Sequence, residues 1–152
     1  MQKYSPQETM ARMRGWCDRQ ERCHKHVEDK LADWGYYGDS AQGIISELIS
    51  NNYLNEERFA RAFTSGRHRI KGWGRRLILQ HLKSLRISAP CIKLGLSEID
   101  PEEYDQNLDR WIERKMAQHQ GMKPFEQNGK VAQFVIRKGY ESDIVWEKIK
   151  AR

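Results

Sequence analysis

The residues best suited to chemistry lie between Arg58 and Ser97. These forty residues contain neither Asp nor Glu and carry ten basic side chains: Arg58, Arg61, Arg67, Arg69, Lys71, Arg75, Arg76, Lys83, Arg86 and Lys93. Elsewhere 17 basic residues face 21 acidic ones, so the formal net charge of +6 is a central block of +10 between ends that sum to −4. Charge segregated in this way steers a polyanion, or an acidic protein surface, toward one region. A guanidinium group grips phosphate or carboxylate through two parallel hydrogen bonds and suits either partner. Arg58, Arg61, Arg67, Arg69, Lys71, Arg75, Arg76 and Lys83 are the candidate partner- or DNA-binding cations. Trp73, between two glycines in a break, joins them as an exposed aromatic within reach of a base. Tyr53, Phe59 and Phe63 read more simply as core.

Other reactive residue types do not assemble into a site. Cys17, Cys23, His24 and His26 fall within ten residues. A metal needs ligands that converge, and on one continuous helix Cys17 and Cys23 would point to different faces. Glu56, Glu57, Asp100, Glu102 and Glu103 sit at helix starts, where capping and the helix dipole account for them. There is no nucleophile paired with a base and no phosphate loop of the Gly-x-x-x-x-Gly-Lys kind. The expectation is a protein with no catalytic residues, no metal and no cofactor. An odd count of three Cys argues against a disulfide framework. No apolar run reaches the roughly 18 residues of a membrane span. The first residues have no apolar signal region, so a cytoplasmic protein with no membrane association is expected.

The elements that must carry the basic block are all helices. Ser5-Pro6-Gln7-Glu8 is a capping box with proline in the first turn, opening a helix lined by Met10, Met13, Trp16 and Cys17. A second helix carries Val27, Leu31 and Trp34 and stops at Gly35. A third follows Asp39-Ser40 with Ile44, Ile45, Leu48 and Ile49. Asn55 caps a fourth with Phe59, Ala62 and Phe63 inside; Lys71-Gly72-Trp73-Gly74 breaks the chain. A fifth holds Leu77, Ile78, Leu82 and Leu85, and a sixth follows Ser88. Asp100-Pro101-Glu102-Glu103 opens a seventh with Tyr104, Leu108, Trp111 and Ile112. An eighth holds Val131, Phe134 and Val135, and a ninth follows Ser142.

The sequence repeats itself. The second, fifth and eighth helices end alike, at Tyr36, Ile87 and Tyr140, with offsets of 51 and 53 residues. A period near that length means small units that bury their faces on one another. Apolar residues are only 38%, which suits thin repeated cores better than one deep core. The repeats are placed at residues 1–54, 55–99 and 100–152.

At Tyr53-Leu54-Asn55-Glu56-Glu57-Arg58-Phe59-Ala60-Arg61 the chain resembles the RecX family of bacterial recombination regulators. The segment from Arg19 to Leu31 is similar to the start of that family's first repeat. Gly72-Trp73-Gly74-Arg75-Arg76-Leu77-Ile78 is similar to the entry of its second. Asn52 stands where the family often has Gly, and Arg75 where it often has Pro. The resemblance implies an all-α, elongated, curved array of three tandem three-helix repeats. It implies binding to the RecA recombinase filament, and inhibition of its ATPase and strand exchange by a monomer with no enzyme activity. Single-stranded DNA would be met directly or through the filament. From the residues alone, a general nucleic-acid-binding helical module using the same basic block is the alternative.

Overall fold

The computed structural model describes residues 1–152. It contains nine helices and no strand: α1 Pro6–Arg19, α2 His24–Asp33, α3 Gly38–Ser50, α4 Glu56–Arg69, α5 Arg75–Ser84, α6 Ala89–Leu96, α7 Pro101–Gln118, α8 Pro124–Arg137 and α9 Ser142–Lys150. The caps fall where polar residues offer an acceptor to orphan N–H groups. Ser5 takes Glu8 N–H at 3.1 Å, Asn55 takes Arg58 N–H at 2.9 Å, and Asp100 takes Glu103 N–H at 3.0 Å. The third helix differs from expectation. It starts at Gly38, and the Ser40 hydroxyl donates to the Tyr37 carbonyl at 2.8 Å instead of capping.

The repeat is written in the backbone. Gly35, Arg86 and Gly139 have φ of +86°, +59° and +107°, and each is followed by a buried landmark: Tyr36, Ile87 or Tyr140. The landmark N–H reaches back to the carbonyl of Leu31, Leu82 or Val135, at 2.8, 3.1 and 3.4 Å. This is the Schellman bond that ties off a helix and folds the next residue inward. Asn52, with φ +63°, does the same for α3, as Tyr53 N–H bonds Leu48 O at 2.9 Å. Asparagine is one of the few residues that tolerates this conformation in place of glycine.

The apolar faces form two cores. One belongs to the first three helices and holds Met13, Val27, Leu31, Ile45, Leu48 and Leu54. The other is shared by the remaining six and includes Phe59, Ile78, Leu82, Leu108, Val135 and Tyr140. Two thin cores leave much surface: 9345 Å² is accessible, against about 8,000 Å² for a compact 18.0 kDa monomer. That excess is the area signature of an elongated array.

The second and third repeats meet through main chain. Gly74 N–H donates to Lys138 O at 2.8 Å, and Arg76 N–H donates to Gly139 O at 2.9 Å. A Cβ on Gly74 would sit 2.5 Å from Tyr140 N, and one on Gly139 would sit 2.7 Å from Leu77 N. Gly72 O then accepts both the Trp111 indole at 2.9 Å and the Tyr140 hydroxyl at 3.0 Å. The break is therefore a fixed loop, clamped from two sides.

Gly139→Ala combines a disfavoured φ with a backbone overlap. It should lower unfolding stability by about 2–4 kcal/mol in urea titrations. Gly129→Ala, in open space on α8, should be neutral or stabilise by up to about 1 kcal/mol.

Candidate functional site

Folding sorts the basic block into two kinds of cation. The first kind meets carboxylates brought in from outside the block. Arg58 bonds Glu21 at 2.7 Å, and its other nitrogens donate to Asn52 Oδ1 and Tyr53 O at 3.2 and 3.3 Å. Arg61 bridges Glu57 and Glu98 at 3.1 and 2.9 Å. Arg69 faces Glu103 at 3.4 Å, and Arg86 faces Glu28 at 3.5 Å. Arg75 bonds Glu141 at 3.1 Å and lies 3.9 Å over the Tyr104 ring. Half of the ten cations are thus engaged inside the molecule. Arg69 and Arg75, expected to be free around the break, are not.

Arg75 is the most committed of these. Its own N–H donates to the Tyr104 hydroxyl at 3.0 Å, a bond that a proline there could not make. The hydroxyl in turn donates to Glu141. Burial, reinforced by Glu141, pushes the Tyr104 phenol well above its ordinary range, and burial does the same to Tyr140. Both hold their protons across the joint between the second and third repeats.

The sequence motif that carries the family resemblance is structural in the same sense. Leu54 is buried in the first core and Asn55 caps α4. Arg58 ties α4 to the segment after α1, Phe59 enters the second core, and Ala60 is fully buried against Gly95 of α6. Trp73 is half-buried rather than exposed, its ring 4.6 Å from His81 and 6.4 Å from Phe63. Arg67 lies over both rings, 4.5 Å from Phe63 and 5.4 Å from Trp73.

The second kind of cation has no carboxylate partner. Lys71, Arg76 and Lys83 belong here and are exposed. Arg76 and Lys83 line one groove of about 960 Å³ between α5 and α8, joined by Arg137 from the third repeat. Its apolar floor is Leu77, Leu79 and Ile136; Gln80 and Gln133 are the neutral polar groups, and no carboxylate lines it. Leu77 and Arg137 also line a neighbouring hollow with Trp73, Phe134 and Lys138. Lys138 lies 4.9 Å from the Trp111 ring, and that ring is 5.4 Å from Phe134. The free charge is therefore a belt across the joint of the second and third repeats. Sequence reading located its α5 half and missed Arg137 and Lys138. They lie outside the central block, shortly before Glu141 and Asp143, and their signal was the repeat itself, which sets α8 beside α5.

Cys17 and Cys23 do not form a pair. The first helix ends at Arg19, so the continuous helix assumed for them does not exist. Cys17 lies in the first core and Cys23 in the second, and burial pushes both thiols up, away from thiolate. No helix is long and apolar enough to cross a membrane.

Comparison with known proteins places this geometry. The RecX second three-helix domain matches residues 55–96, and the RecX third three-helix domain matches residues 102–149. Regulatory protein RecX of Streptomyces lividans is 24% identical over 119 residues, covering 78% of this chain and 63% of the relative. Regulatory protein RecX of Vibrio campbellii is 28% identical over 127 residues, covering 82% of this chain and 79% of the relative. The chain spans 54–63% of the length of the Streptomyces and Clostridium perfringens (strain 13) relatives it matches. The crystal structure of RecX from Lactobacillus salivarius superposes with a TM-score of 0.83 at 17% identity, covering 97% of each chain. A second crystal structure, of a regulatory protein RecX, gives 0.86 at 20% identity, covering 97% of this chain and 73% of the other.

Two outcomes follow from the sorting. Arg75→Ala should cost about 1–3 kcal/mol, because it removes the cation from half-buried Glu141 and leaves it only the Tyr104 hydroxyl, whereas Arg76→Ala should stay within about 0.5 kcal/mol in the same denaturant titration. The tyrosines give a pH dependence. A phenol raised in the folded state contributes stability that is intact below its unfolded value of 10.0 and is lost as pH rises beyond it. Denaturation midpoints should therefore fall between pH 9.5 and 11.5, roughly, and fall less in a Tyr104→Phe, Tyr140→Phe double variant.

Proposed function

Given that this chain belongs to the RecX family, we propose that it binds the RecA filament and restrains it, lowering ATP turnover and strand exchange. The observation that carries the proposal is the carboxylate-free belt running from Lys83 and Arg76 to Arg137, set on a regulator's fold. Apolar floor and cationic rim together fit an acidic protein surface with apolar residues in it. Such a surface gains from desolvation as well as from charge. The three repeats, 1–54, 55–99 and 100–152, act as one curved body lying in the filament groove. The body obstructs duplex entry and hinders the subunit movements that accompany ATP turnover. Arg76 and Lys83, with Arg137, make the contact. Arg58, Arg61 and Arg75 hold the repeats in position, and the protein carries out no chemistry of its own.

The same belt supports a second reading, a nucleic-acid-binding module that needs no recombinase. The two differ in salt response. Phosphate binding falls steeply with salt, with a log–log slope near the number of phosphates engaged. A contact that also buries apolar surface falls less.

The experiment is RecA ATP hydrolysis on single-stranded DNA with increasing amounts of this protein. Turnover should drop to a low plateau, and Arg76→Glu with Lys83→Glu should restore it while thermal melts stay unchanged. Turnover that stays constant at saturating protein would remove the regulator reading.

A further inference from the structure

A second cationic site lies away from the α5/α8 groove, in a cleft between the α4–α5 break and helix α7. It has a volume of about 210 Å³ and is lined by Arg69 and Lys71 from the break and by Arg110 and Arg114 from α7. No carboxylate lines it. Arg110 and Arg114 are four apart and so share one helix face. Arg110 and Arg114 lie outside the block with no acids, so sequence inspection passes over them.

The cleft is preorganised. Trp73 O can only accept, so His68 Nδ1 donates to it, at 3.1 Å. His68 Nε2 then accepts from Asn107 Nδ2 at 3.2 Å, and Asn107 Oδ1 accepts from Arg110 Nη1 at 3.2 Å. His68 is fully buried, so this chain anchors Asn107 from inside the protein, and Asn107 offers exposed Arg110 one bond at the cleft. The Gly72 carbonyl at the wall is already occupied by Trp111 and Tyr140. What remains to face a ligand is cationic. Arg69 is held by Glu103 only at 3.4 Å between two exposed side chains. Exposed pairs of this kind are worth about 0–1 kcal/mol and yield easily to a doubly charged oxyanion.

We propose that this cleft is a phosphate clamp for the backbone of a single nucleic-acid strand, assembled from two repeats, with Asn107 as a positioning residue. Four converging cations suit a phosphate, and the surroundings favour a strand over a free anion. The cleft opens beside Trp111, whose ring has Arg114 over it at 5.0 Å and Lys138 at 4.9 Å, and leads to Phe134 and the hollow lined by Trp73. Aromatic faces flanked by cations accept unstacked bases of any sequence. Ile70, beside the four cations, is 84% exposed, an apolar contact for a base or sugar. This deepens the second reading of the belt and rests on it. It is independent of any recombinase contact, so the test omits the recombinase.

The test is fluorescence anisotropy of a labelled oligothymidylate with the full chain, titrated over a range of salt. Arg110→Ala with Arg114→Ala should weaken binding about tenfold at low salt and reduce the log–log salt slope by about 1.4, the share of two phosphate contacts on a single strand. Replacing both by Lys should restore the slope. Lys93→Ala with Lys150→Ala removes equal charge elsewhere and should leave both quantities near the parent. Asn107→Ala should weaken binding several-fold with the slope unchanged. A cleft variant that binds like the parent, or a control that falls as far, overturns the clamp. Displacement of the oligonucleotide by millimolar inorganic phosphate at matched ionic strength would assign the cleft to a free anion and overturn the strand. Equal competition by polyglutamate, lost in the same double variant, would assign it to acidic protein and overturn it too. An Asn107→Ala variant with parental affinity removes the positioning role.

Discussion

Gly74 and Gly139 bring two stretches of main chain within hydrogen-bond distance, with no side chain between them. Much of what this protein presents depends on that contact. It lets the end of α8 dock on the start of α5, and so merges the cores of the second and third repeats into one. It also fixes where the break between α4 and α5 lies, because Gly72 O is held by Trp111 and Tyr140 from the third repeat. The groove and the cleft straddle this joint, one on α5 and α8, the other on the break and α7. The helices that carry these cations are thus set relative to one another by backbone geometry, while the side chains of Arg76, Lys83, Arg110 and Arg114 stay exposed.

Folding of the whole chain explains how a block of ten like charges is tolerated. Left alone, such a block repels itself and opposes compaction. Here acidic residues from other segments, Glu21, Glu28, Glu98, Glu103 and Glu141, come to it on folding. Most of these pairs are partly exposed and individually weak. Their combined effect is geometric: they decide which cations are consumed at seams and which stay free. Lys148 serves the same purpose at the far end, where it bridges Asp105 and Asp109 at 2.8 and 2.9 Å and pins α9 to α7.

This division explains what could be read from the sequence. The nine helices were legible because their caps and apolar spacing are local properties, and the repeat was legible because Tyr36, Ile87 and Tyr140 end their helices in one way. The start of α3 was misplaced because Ser40 bonds inside the first turn. Among the candidate residues, Arg76 and Lys83 were rightly placed on one side of α5, since seven residues make two turns. Arg58, Arg69 and Arg75 could not be told from them. Whether an arginine is free depends on which distant carboxylate the fold delivers, at separations of 37, 34 and 66 residues. The fused core was equally hidden, since Gly74 and Gly139 are far apart in sequence and each looks like an ordinary helix terminator.

The departures from the family pattern point the same way. Asn52 keeps the left-handed turn that glycine would supply, so the path of the chain into α4 is preserved. Arg75 in the usual proline position supplies an N–H that Tyr104 accepts, and its guanidinium then takes Glu141. The stiffness a proline would give to the start of α5 is replaced by a bonded network that reaches the third repeat. The replacement ties the direction of α5, and with it Arg76 and Lys83, to the presence of α7 and the start of α9. The cationic surface is thus not a property of the basic repeat by itself. It exists only when the third repeat is docked, because that repeat supplies Arg137 to the groove, Arg110 and Arg114 to the cleft, and the Glu141–Tyr104 pair that orients the helix between them.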